Sequence, residues 1–499
     1  MSAVTDAFAA ARARVRARRP DGAFRPPAVV YRPPAAGPVP RLRFAAGPAT
    51  ASAAGSAPTP ASSEELVLAA LAAVERRDAE LNAFVHLDAD GALAVARERD
   101  RTRTAGRELG ALHGIPVSVK DVIDVAGMPT RAGCDGFMRI ARDDAVAVAR
   151  LRAAGAVIIG KTVTHQFALG VTTPQSRNPH DPARIPGGSS GGSGIAVATG
   201  MGPISLGTDT RASSRVPAAL CGVVGFKGTL GLVPLEGVVT LSWTMDHVAP
   251  LAASVAEAAL TLEVLAGGAA AGLEQASRAG VGGLRVGVPA AAMEESEPAV
   301  QAAVRAALDA LAAAGCAVVD VGVPDAEDLK DANAAGLLVS RCEAAAVHRG
   351  LDVEPGTYWP EVAEQLAEGA ATLATDYLDA QRVRTELAQR LRRALSGLDA
   401  LAMPTTPCVA PLVTAHAGYL TVLSRNAIPW SLAGFPALSV PVATPPGGLP
   451  VGLQLVAPPG GEAVLAAIGA SVEAARDSIH ASDLPGGTEL GEAAGQPLQ

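Results

Sequence analysis

Two serine-bearing segments in the middle of the chain carry the residue types best suited to chemistry. The first reads Gly-Gly-Ser-Ser-Gly-Gly-Ser-Gly over residues 187–194. The second reads Gly-Thr-Asp-Thr-Arg-Ala-Ser-Ser-Arg-Val-Pro over residues 207–217. Between them, the stretch from Ile195 to Thr199 is apolar and made of small residues, which predicts a buried helix. We therefore expect two serine loops to flank one helix and to converge on one site.

The glycine-rich segment alone fits three kinds of structure. Successive backbone N–H groups can bind a phosphate, but the Lys-Ser/Thr pair that a P-loop requires after its second glycine is missing. The segment also matches the G-x-S-x-G turn of α/β-hydrolases, which would make Ser190 the nucleophile. That turn needs a later histidine, and four are available: His247, His348, His416 and His480. A flexible turn without chemistry is the third interpretation, and it leaves the neighbouring polar segment unexplained.

Lys120 ends a run of apolar and β-branched residues, Gly114 to Val119, that predicts a buried strand. A serine hydroxyl is a weak nucleophile and needs a neighbouring base. Lysine can be that base only when it is neutral, which requires burial to lower its pKa. Because side chains alternate along a strand, Ser118 shares the face of Lys120 whereas Asp121 points away. Taken alone, Lys120 would be interpreted as an ordinary strand-end lysine.

Together these segments resemble the signature of the amidase signature family, whose usual form is close to GGSSGGS followed by GTDTGGSIRIPA. Further stretches resemble the same family, at residues 114–121, 177–179, 404–407, 434–441 and 448–454. The resemblance covers roughly residues 60 to 475. It implies a single large α/β domain in which helices flank both faces of a central mixed β-sheet.

The resemblance also implies three catalytic residues. By position, the family's lysine falls on Lys120, its cis-configured serine on Ser189 and its nucleophile on Ser213. Lys120 would take a proton from Ser189, which would take one from Ser213. Ser213 would then attack a carbonyl carbon and form an acyl-enzyme.

Other residues of the two loops are expected to support this chemistry. The backbone N–H groups expected to hold the oxyanion belong to Thr210, Arg211, Ala212 and Ser213. The expected supporting residues are Gly187, Gly188, Ser190, Asp209 and Arg215. Asp209 and Arg215 are expected to brace the loop as an ion pair. Lys161 and Lys227 are interpreted as structural, and no metal ligand or cofactor is predicted.

The second loop departs from the family pattern just before the nucleophile. Arg211 and Ala212 stand where the family usually has two small residues, most often glycines, which permit a positive φ and close approach of a substrate. Arg211 also places a guanidinium beside the acyl site, where it could hydrogen-bond a substrate carbonyl or guard the entrance. Gly228 stands where a proline is common. These changes are expected to affect substrate preference and to leave the chemistry intact.

Composition limits the function classes further. The formal net charge is −8 with a pI near 5.6, and no long basic stripe lies in the body of the chain, so nucleic acid is not an expected partner. The five cysteines are odd in number and form no C-x-x-C pair, which argues against a disulfide framework or a zinc site and favours a reducing cytoplasm. No run of 18 apolar residues predicts a membrane span.

The chain divides into three predicted parts. Residues 1–60 are interpreted as a basic, proline-rich and poorly ordered N-terminal arm and linker, since such a composition cannot bury a core. Residues 61–483 form the predicted amidase domain, which begins with a helix at the Ser62/Glu65 capping box. Residues 484–499 are interpreted as a disordered tail. Within the domain the pattern predicts strands at 157–159, 284–288, 318–323, 400–403, 437–442 and 453–456 and helices at 145–154 and 299–314.

The sequence therefore predicts a serine hydrolase that cleaves C–N bonds of small aryl or alkyl amides, with carbamates (urethanes) and esters as further substrates. A glutaminase-type subunit of a tRNA amidotransferase is an alternative that would need partner chains. An alternative from another class is a nucleotide-binding protein that uses the glycine-rich loop for phosphate. The expected partner is a small-molecule amide or carbamate, without nucleic acid or membrane, and a homodimer is compatible with the sequence.

Overall fold

A computed structural model describes residues 2–18, 61–419, 421–444 and 447–478. Its strands are β1 (Phe84–Leu87), β2 (Pro116–Lys120), β3 (Pro129–Thr130), β4 (Arg139–Ile140), β5 (Val157–Thr162), β6 (Ile204–Thr208), β7 (Val224–Lys227), β8 (Val248–Ala252), β9 (Arg285–Pro289), β10 (Ala317–Val321), β11 (Ala400–Pro404), β12 (Ala437–Pro441) and β13 (Gly452–Val456). Within these residues, eleven strands form one sheet in the order β1-β5-β2-β6-β8-β7-β12-β13-β11-β9-β10, and β3 pairs with β4 apart from it.

The sheet is mixed. β2 runs parallel to both of its neighbours, β5 and β6, and β9 runs parallel to β10 and β11, whereas the remaining pairs are antiparallel. The strands near the centre are buried along their whole length, as expected for a sheet covered by helices. The predicted fold class, a mixed sheet flanked by helices, is confirmed.

The helices account for most of the remaining chain. They are α1 (Ala3–Ala17), α2 (Ser63–Leu81), α3 (Ala89–Thr104), α4 (Val146–Ala153), α5 (Gly191–Ala198), α6 (Arg215–Cys221), α7 (Val255–Ala266), α8 (Leu273–Ala276), α9 (Ala290–Glu294), α10 (Pro298–Ala313), α11 (Ala326–His348), α12 (Pro360–Ala371), α13 (Ala374–Ala394), α14 (Ile428–Ala433) and α15 (Glu462–Ser478). Short 3₁₀ turns occupy Gln166–Ala168 and Val413–Tyr419. None of these helices is both long enough and apolar enough to cross a bilayer.

Local sequence signals account for the elements that were predicted. The Ser62 hydroxyl accepts a hydrogen bond from the Glu65 N–H at 3.1 Å, and the Glu65 carboxylate accepts one from the Ser62 N–H at 2.7 Å, so the capping box starts α2 as expected. The predicted strands and helices are present, with ends shifted by at most a few residues. The pattern did not reveal β6, β7 and β8 or the helical layer α11 to α14.

The prediction of a poorly ordered N-terminal arm is wrong for residues 3–17, which form α1. The arginine content concealed an apolar stripe with helical spacing: Val4, Phe8, Ala11 and Val15 are buried in one core cluster with residues of α11 and α13. Ser2 caps the helix by accepting a hydrogen bond from the Thr5 N–H at 3.2 Å.

The basic face of α1 is paired with acids of the helices beneath it. Arg12 lies 2.9 Å from Glu368 on α12, and Arg14 lies 2.6 Å from Asp331 on α11. Arg16 makes two hydrogen bonds of 2.6 Å to the carboxylate of Asp376 on α13. The arginines that suggested a free basic arm therefore help to hold the helix on the domain. The proline-rich stretch and the predicted C-terminal tail lie outside the described residues.

Candidate active site

The site lies where the parallel strands β5, β2 and β6 end side by side. β2 and β6 pair in register from Val117 with Ile204 to Val119 with Leu206, so their carboxyl ends reach the same edge of the sheet. Ligand sites of open α/β sheets form at such edges. Here the edge brings Lys120, at the end of β2, next to the loop that follows β6.

Lys120 is fully buried, and its hydrogen-bond partners are hydroxyl groups. Its Nζ donates hydrogen bonds to Ser189 Oγ and to Thr208 Oγ1, each at 2.7 Å. Burial lowers the pKa of Lys120 to about 7, against the opposing influence of Asp209 and Asp246. The side chain is therefore able to lose its proton near neutral pH and to accept one from a hydroxyl.

Asp121 lies on the opposite face of the strand end from Lys120. Its Oδ1 is 3.0 Å from Lys161 Nζ, and both side chains are buried. Lys161 also donates to Thr130 Oγ1 at 2.9 Å. The alternation expected from the strand is present, and the expected structural role of Lys161 agrees with these contacts.

The glycine-rich loop holds Ser189 in a closely packed position. The peptide bond between Gly188 and Ser189 is cis, as the resemblance implies. Gly187 has a φ of +80°, and a Cβ on Gly188 would lie 2.6 Å from Thr173 Oγ1, so both positions favour glycine. The Ser189 carbonyl accepts hydrogen bonds from the His165 N–H at 3.1 Å and from Thr173 Oγ1 at 3.3 Å.

Ser213 lies in the turn between β6 and α6, directly against the glycine-rich loop. The Ser190 N–H donates to the Ser213 carbonyl at 3.2 Å, and Ser190 Oγ donates to the Thr208 carbonyl at 3.2 Å. Ser213 is 4% exposed, so it is nearly closed off from solvent. The structure thus brings the two serine segments together around the end of β2. The hydroxyl of Ser190 is bound to the backbone of Thr208 and not to a histidine, which argues against the α/β-hydrolase turn.

Asp209 and Arg215 form the expected ion pair, and it is completely buried. Arg215 Nε and Nη2 each lie 2.9 Å from a different oxygen of the Asp209 carboxylate, a bidentate geometry. Arg215 Nη1 also donates to Gln454 Oε1 at 2.6 Å, and Ser214 Oγ donates to Asp209 at 2.8 Å. The pair fixes the turn that carries Ser213 to the sheet beneath it.

The turn also presents backbone donors. Across the described part of the chain, no group accepts a hydrogen bond from the N–H groups of Thr210, Arg211, Ala212 or Ser213. Thr210 Oγ1 donates a hydrogen bond to Asp246 at 2.6 Å. This side-chain contact anchors the turn without using the N–H of Thr210. Burial raises the pKa of Asp246 to about 6.

Arg211 is the departure from the family pattern, and the structure buries it. The residue is 3% exposed, and all three guanidinium nitrogens are buried without a hydrogen-bond partner in the described structure. Burial, together with the charge of nearby Arg211, lowers the pKa of Arg341 on α11 well below its usual value. A second arginine that the sequence did not indicate, Arg341, therefore lies close to Arg211.

Three residues of the site were missed in the sequence. Thr208 is the second partner of Lys120, Asp246 anchors the turn, and Arg341 neighbours Arg211. Thr208 stands within the second serine segment and could have been noticed there, whereas nothing local distinguishes Asp246 or Arg341. Groups of three or more His, Cys, Asp or Glu side chains arranged for a metal ion do not occur in the described ranges.

The sequence and the fold match a known family. The sequence model of the Amidase family matches residues 65–465, and the chain belongs to that family. It is similar to a subunit of the Glutamyl-tRNA(Gln) amidotransferase of Chloroflexus aurantiacus, with 38% identity over 81% of this chain and 91% of the relative.

Solved structures agree with this assignment. A crystal structure of an amidase is 36% identical, with a TM-score of 0.76 over 83% of this chain and 96% of the other. A peptide amidase from Stenotrophomonas maltophilia is 29% identical, with a TM-score of 0.72 over 84% of this chain and 94% of the other.

Proposed function

We propose that the protein hydrolyses amides through an acyl-enzyme on Ser213, with Ser189 and Lys120 as the proton relay. The observation that carries the proposal is the 2.7 Å hydrogen bond from Lys120 Nζ to Ser189 Oγ. The lysine in this bond is fully buried, and the acid beside it in the chain, Asp121, is paired with Lys161. A buried lysine whose own hydrogen bonds go to hydroxyls is suited to proton transfer.

In the proposed cycle a proton moves from Ser213 through Ser189 to Lys120, and a proton later returns along the same path to the leaving amine. Neutral Lys120 takes the proton of Ser189 while Ser189 takes that of Ser213, and Ser213 Oγ forms a bond to the substrate carbonyl carbon. The free N–H groups of residues 210–213 stabilise the resulting oxyanion, and each such donor typically lowers the barrier by about 3–4 kcal/mol. The C–N bond then breaks, and the amine leaves with the proton returned by Lys120 through Ser189. Water adds to the acyl-enzyme by the same relay and releases the acid.

The proposed substrates are small aryl or alkyl amides, with carbamates and esters as further substrates. The nucleophile and its neighbours are almost completely buried, which favours a compact acyl group over an extended chain. A carbamate presents the same carbonyl with an additional oxygen and can enter the same cycle.

Fluorophosphonate labelling with peptide mapping tests the proposal. We expect one labelled serine, Ser213, in the wild-type protein and no label in Ser213→Ala, which should also lose turnover on a panel of anilides, primary amides and carbamates. Ser190→Ala is the matched control, because Ser190 would be labelled if the α/β-hydrolase turn were correct. Label on Ser190, or full activity of Ser213→Ala, would overturn the proposal.

A glutaminase role within an amidotransferase is the second candidate, and the relatives named as subunits of a Glutamyl-tRNA(Gln) amidotransferase favour it. Under this proposal the protein would release ammonia from L-glutamine and deliver it within an assembly with other chains. Ammonia release from glutamine with kcat/KM above that for every simple amide in the panel would support this candidate. Efficient hydrolysis of simple amides by the isolated chain, with glutamine a poor substrate, would exclude it.

A further inference from the structure

Arg211, in the turn that carries Ser213, and Arg341 on α11 are both buried, and neither forms an ion pair with an acid of the described structure. Arg211 has no hydrogen-bond partner on any of its three side-chain nitrogens in the described structure. Among the described residues, Arg341 donates only to neutral acceptors: Gln365 Oε1 at 2.7 Å, Ser340 Oγ at 3.2 Å and the Leu169 carbonyl at 3.4 Å. Both arginines are 3% exposed or less.

Three buried acids of the turn and the elements around it, Asp209, Asp246 and Glu343, are already engaged. Asp209 binds Arg215 in a bidentate pair. Asp246 accepts hydrogen bonds from Thr210 Oγ1 and from the N–H groups of Leu241 and Ser242, and Glu343 accepts from Ser242, Thr244 and Tyr377. Glu361 lies 4.0 Å from His165 and is 40% exposed. Protein groups therefore engage the three buried acids, whereas Arg211 has no partner and Arg341 has only neutral ones among the described residues.

Both arginines are linked to the segments that hold Ser213 and Ser189. Arg211 precedes Ser213 by two positions in the same turn. Arg341 binds the carbonyl of Leu169, in the loop after β5 that also holds Ser189 through the His165 N–H and Thr173 Oγ1. Arg211 thus belongs to the turn that carries Ser213, and Arg341 hydrogen-bonds the loop that holds Ser189.

A buried, unpaired guanidinium is costly, and two close together are more so. Burial already lowers the pKa of Arg211 to about 10, yet arginine remains protonated at neutral pH. A bound anion would supply the missing partner, and carboxylate is the planar anion that arginine binds in bidentate fashion.

We propose that Arg211 and Arg341 bind a carboxylate carried by the substrate, so that the preferred amides are monoamides of short dicarboxylic acids. The inference rests on the proposed function and narrows its substrate class. It also specifies what the substrate lacks: an α-ammonium group would add a third positive charge where the nearby acids are engaged. Amides of amino acids, glutamine included, should therefore be poor substrates.

Three amides of equal chain length test this selectivity. Glutaramate carries the carboxylate, glutaramide replaces it with a neutral amide of the same shape, and L-glutamine adds an ammonium to glutaramate. We expect kcat/KM for glutaramate, or for its shorter homologues malonamate and succinamate, to exceed that for the matching diamide by about 100-fold or more. Equal rates for monoamide and diamide across the series would overturn the inference, as would a preference for glutamine.

Substitutions of the two arginines should remove the selectivity. In Arg341→Met and Arg211→Met the ratio of monoamide to diamide kcat/KM should fall to about 1–10, whereas Arg341→Lys should retain part of it because the charge remains. Arg382→Met is the matched control, because Arg382 is 48% exposed and its ion pair with Asp379 is on the surface. An unchanged ratio in Arg341→Met, or a ratio lost equally in Arg382→Met, would contradict the assignment.

Binding to the Ser213→Ala protein separates this inference from the proposed mechanism and does not require the arginine variants to fold. Glutaramate and succinamate should raise the Tm of Ser213→Ala, whereas the neutral diamides and sodium chloride of equal ionic strength should not. Stabilisation by the monoamides without turnover of any amide by the wild type would leave the carboxylate site standing and the hydrolase proposal refuted. Hydrolysis of neutral amides without binding of any monoamide would refute the carboxylate site and leave the hydrolase proposal standing.

Discussion

Lys161 Nζ lies 3.0 Å from Asp121 Oδ1 in a buried ion pair on the opposite face of the strand end from Lys120. The two neighbouring residues Lys120 and Asp121 therefore serve different partners. Asp121 balances the charge of Lys161, and Lys120 is left to bond with the hydroxyls of Ser189 and Thr208. This division of partners is what allows burial to lower the pKa of Lys120.

The activity should rise with pH through about 7. Below the pKa of Lys120, which burial lowers to about 7, the ammonium is protonated and cannot take the proton of Ser189; above it the amine is neutral. We expect kcat/KM to increase about tenfold per pH unit below pH 7 and to level off above, since one deprotonation controls the base.

Rates between pH 5 and 9 on an uncharged substrate measure this profile. A rate independent of pH over this range, or one that falls above pH 7, would contradict the role of Lys120.

Removing the second partner of Lys120 should slow the reaction. Thr208→Val deletes the hydroxyl that accepts a hydrogen bond from Lys120 Nζ at 2.7 Å, and one such bond is worth about 1 kcal/mol. We expect kcat to fall about 5-fold, because about 1 kcal/mol of positioning is lost and the amine is less firmly directed at Ser189. Thr208→Ser keeps the hydroxyl and should stay within about twofold of the wild type. Equal kcat values for the valine and serine variants would show that Thr208 does not position the lysine.

Breaking the buried ion pair should destabilise the protein. Asp209→Asn leaves Arg215 charged and buried without its bidentate partner, which typically costs about 3–5 kcal/mol. Urea unfolding followed by circular dichroism measures the loss. Asp379→Asn is the control, since it breaks a half-exposed surface pair with Arg382 and should cost no more than about 1 kcal/mol. Similar losses in both variants would mean that burial does not distinguish the two pairs.

The N-terminal helix should loosen when its central apolar contact is removed. Phe8 is 1% exposed in the cluster formed with α11 and α13, and Phe8→Ala should weaken its docking by about 3 kcal/mol. Hydrogen exchange should then speed up at the amides of α1, with a smaller effect in Phe8→Leu. Unchanged protection of α1 in Phe8→Ala would show that its ion pairs alone hold the helix.

The sequence was sufficient for much of the site because its parts lie on short local motifs. Strand alternation separated Lys120 from Asp121, and the second serine segment contained both Asp209 and Arg215. Most strands of the sheet could be predicted because they are short runs rich in β-branched residues that are bounded by glycines. β6 was missed because it carries polar side chains inside the sheet, where Ser205 Oγ accepts a hydrogen bond from Ser118 Oγ at 2.8 Å.

Other features could not be predicted because they depend on long-range packing. Arg341 lies on α11, far along the chain from Arg211, and only the fold brings their charges together. The strand order, with β12 and β13 between β7 and β11, likewise depends on pairing between distant segments. The helix α1 is a different case. Its apolar residues have helical spacing in the sequence, but the high arginine content favoured the wrong prediction of a poorly ordered arm.

The docking of α1 also constrains how the chain matures during synthesis. Its apolar stripe packs on residues of α11 and α13, so it has no partner until those helices emerge. At about 5–20 residues per second, the ribosome needs about 15–60 s to pass from the end of α1 at residue 17 to the start of α11 at residue 326. During that interval a 15-residue helix is only marginally stable by itself. A segment translated early thus finds its place only after most of the chain has left the ribosome.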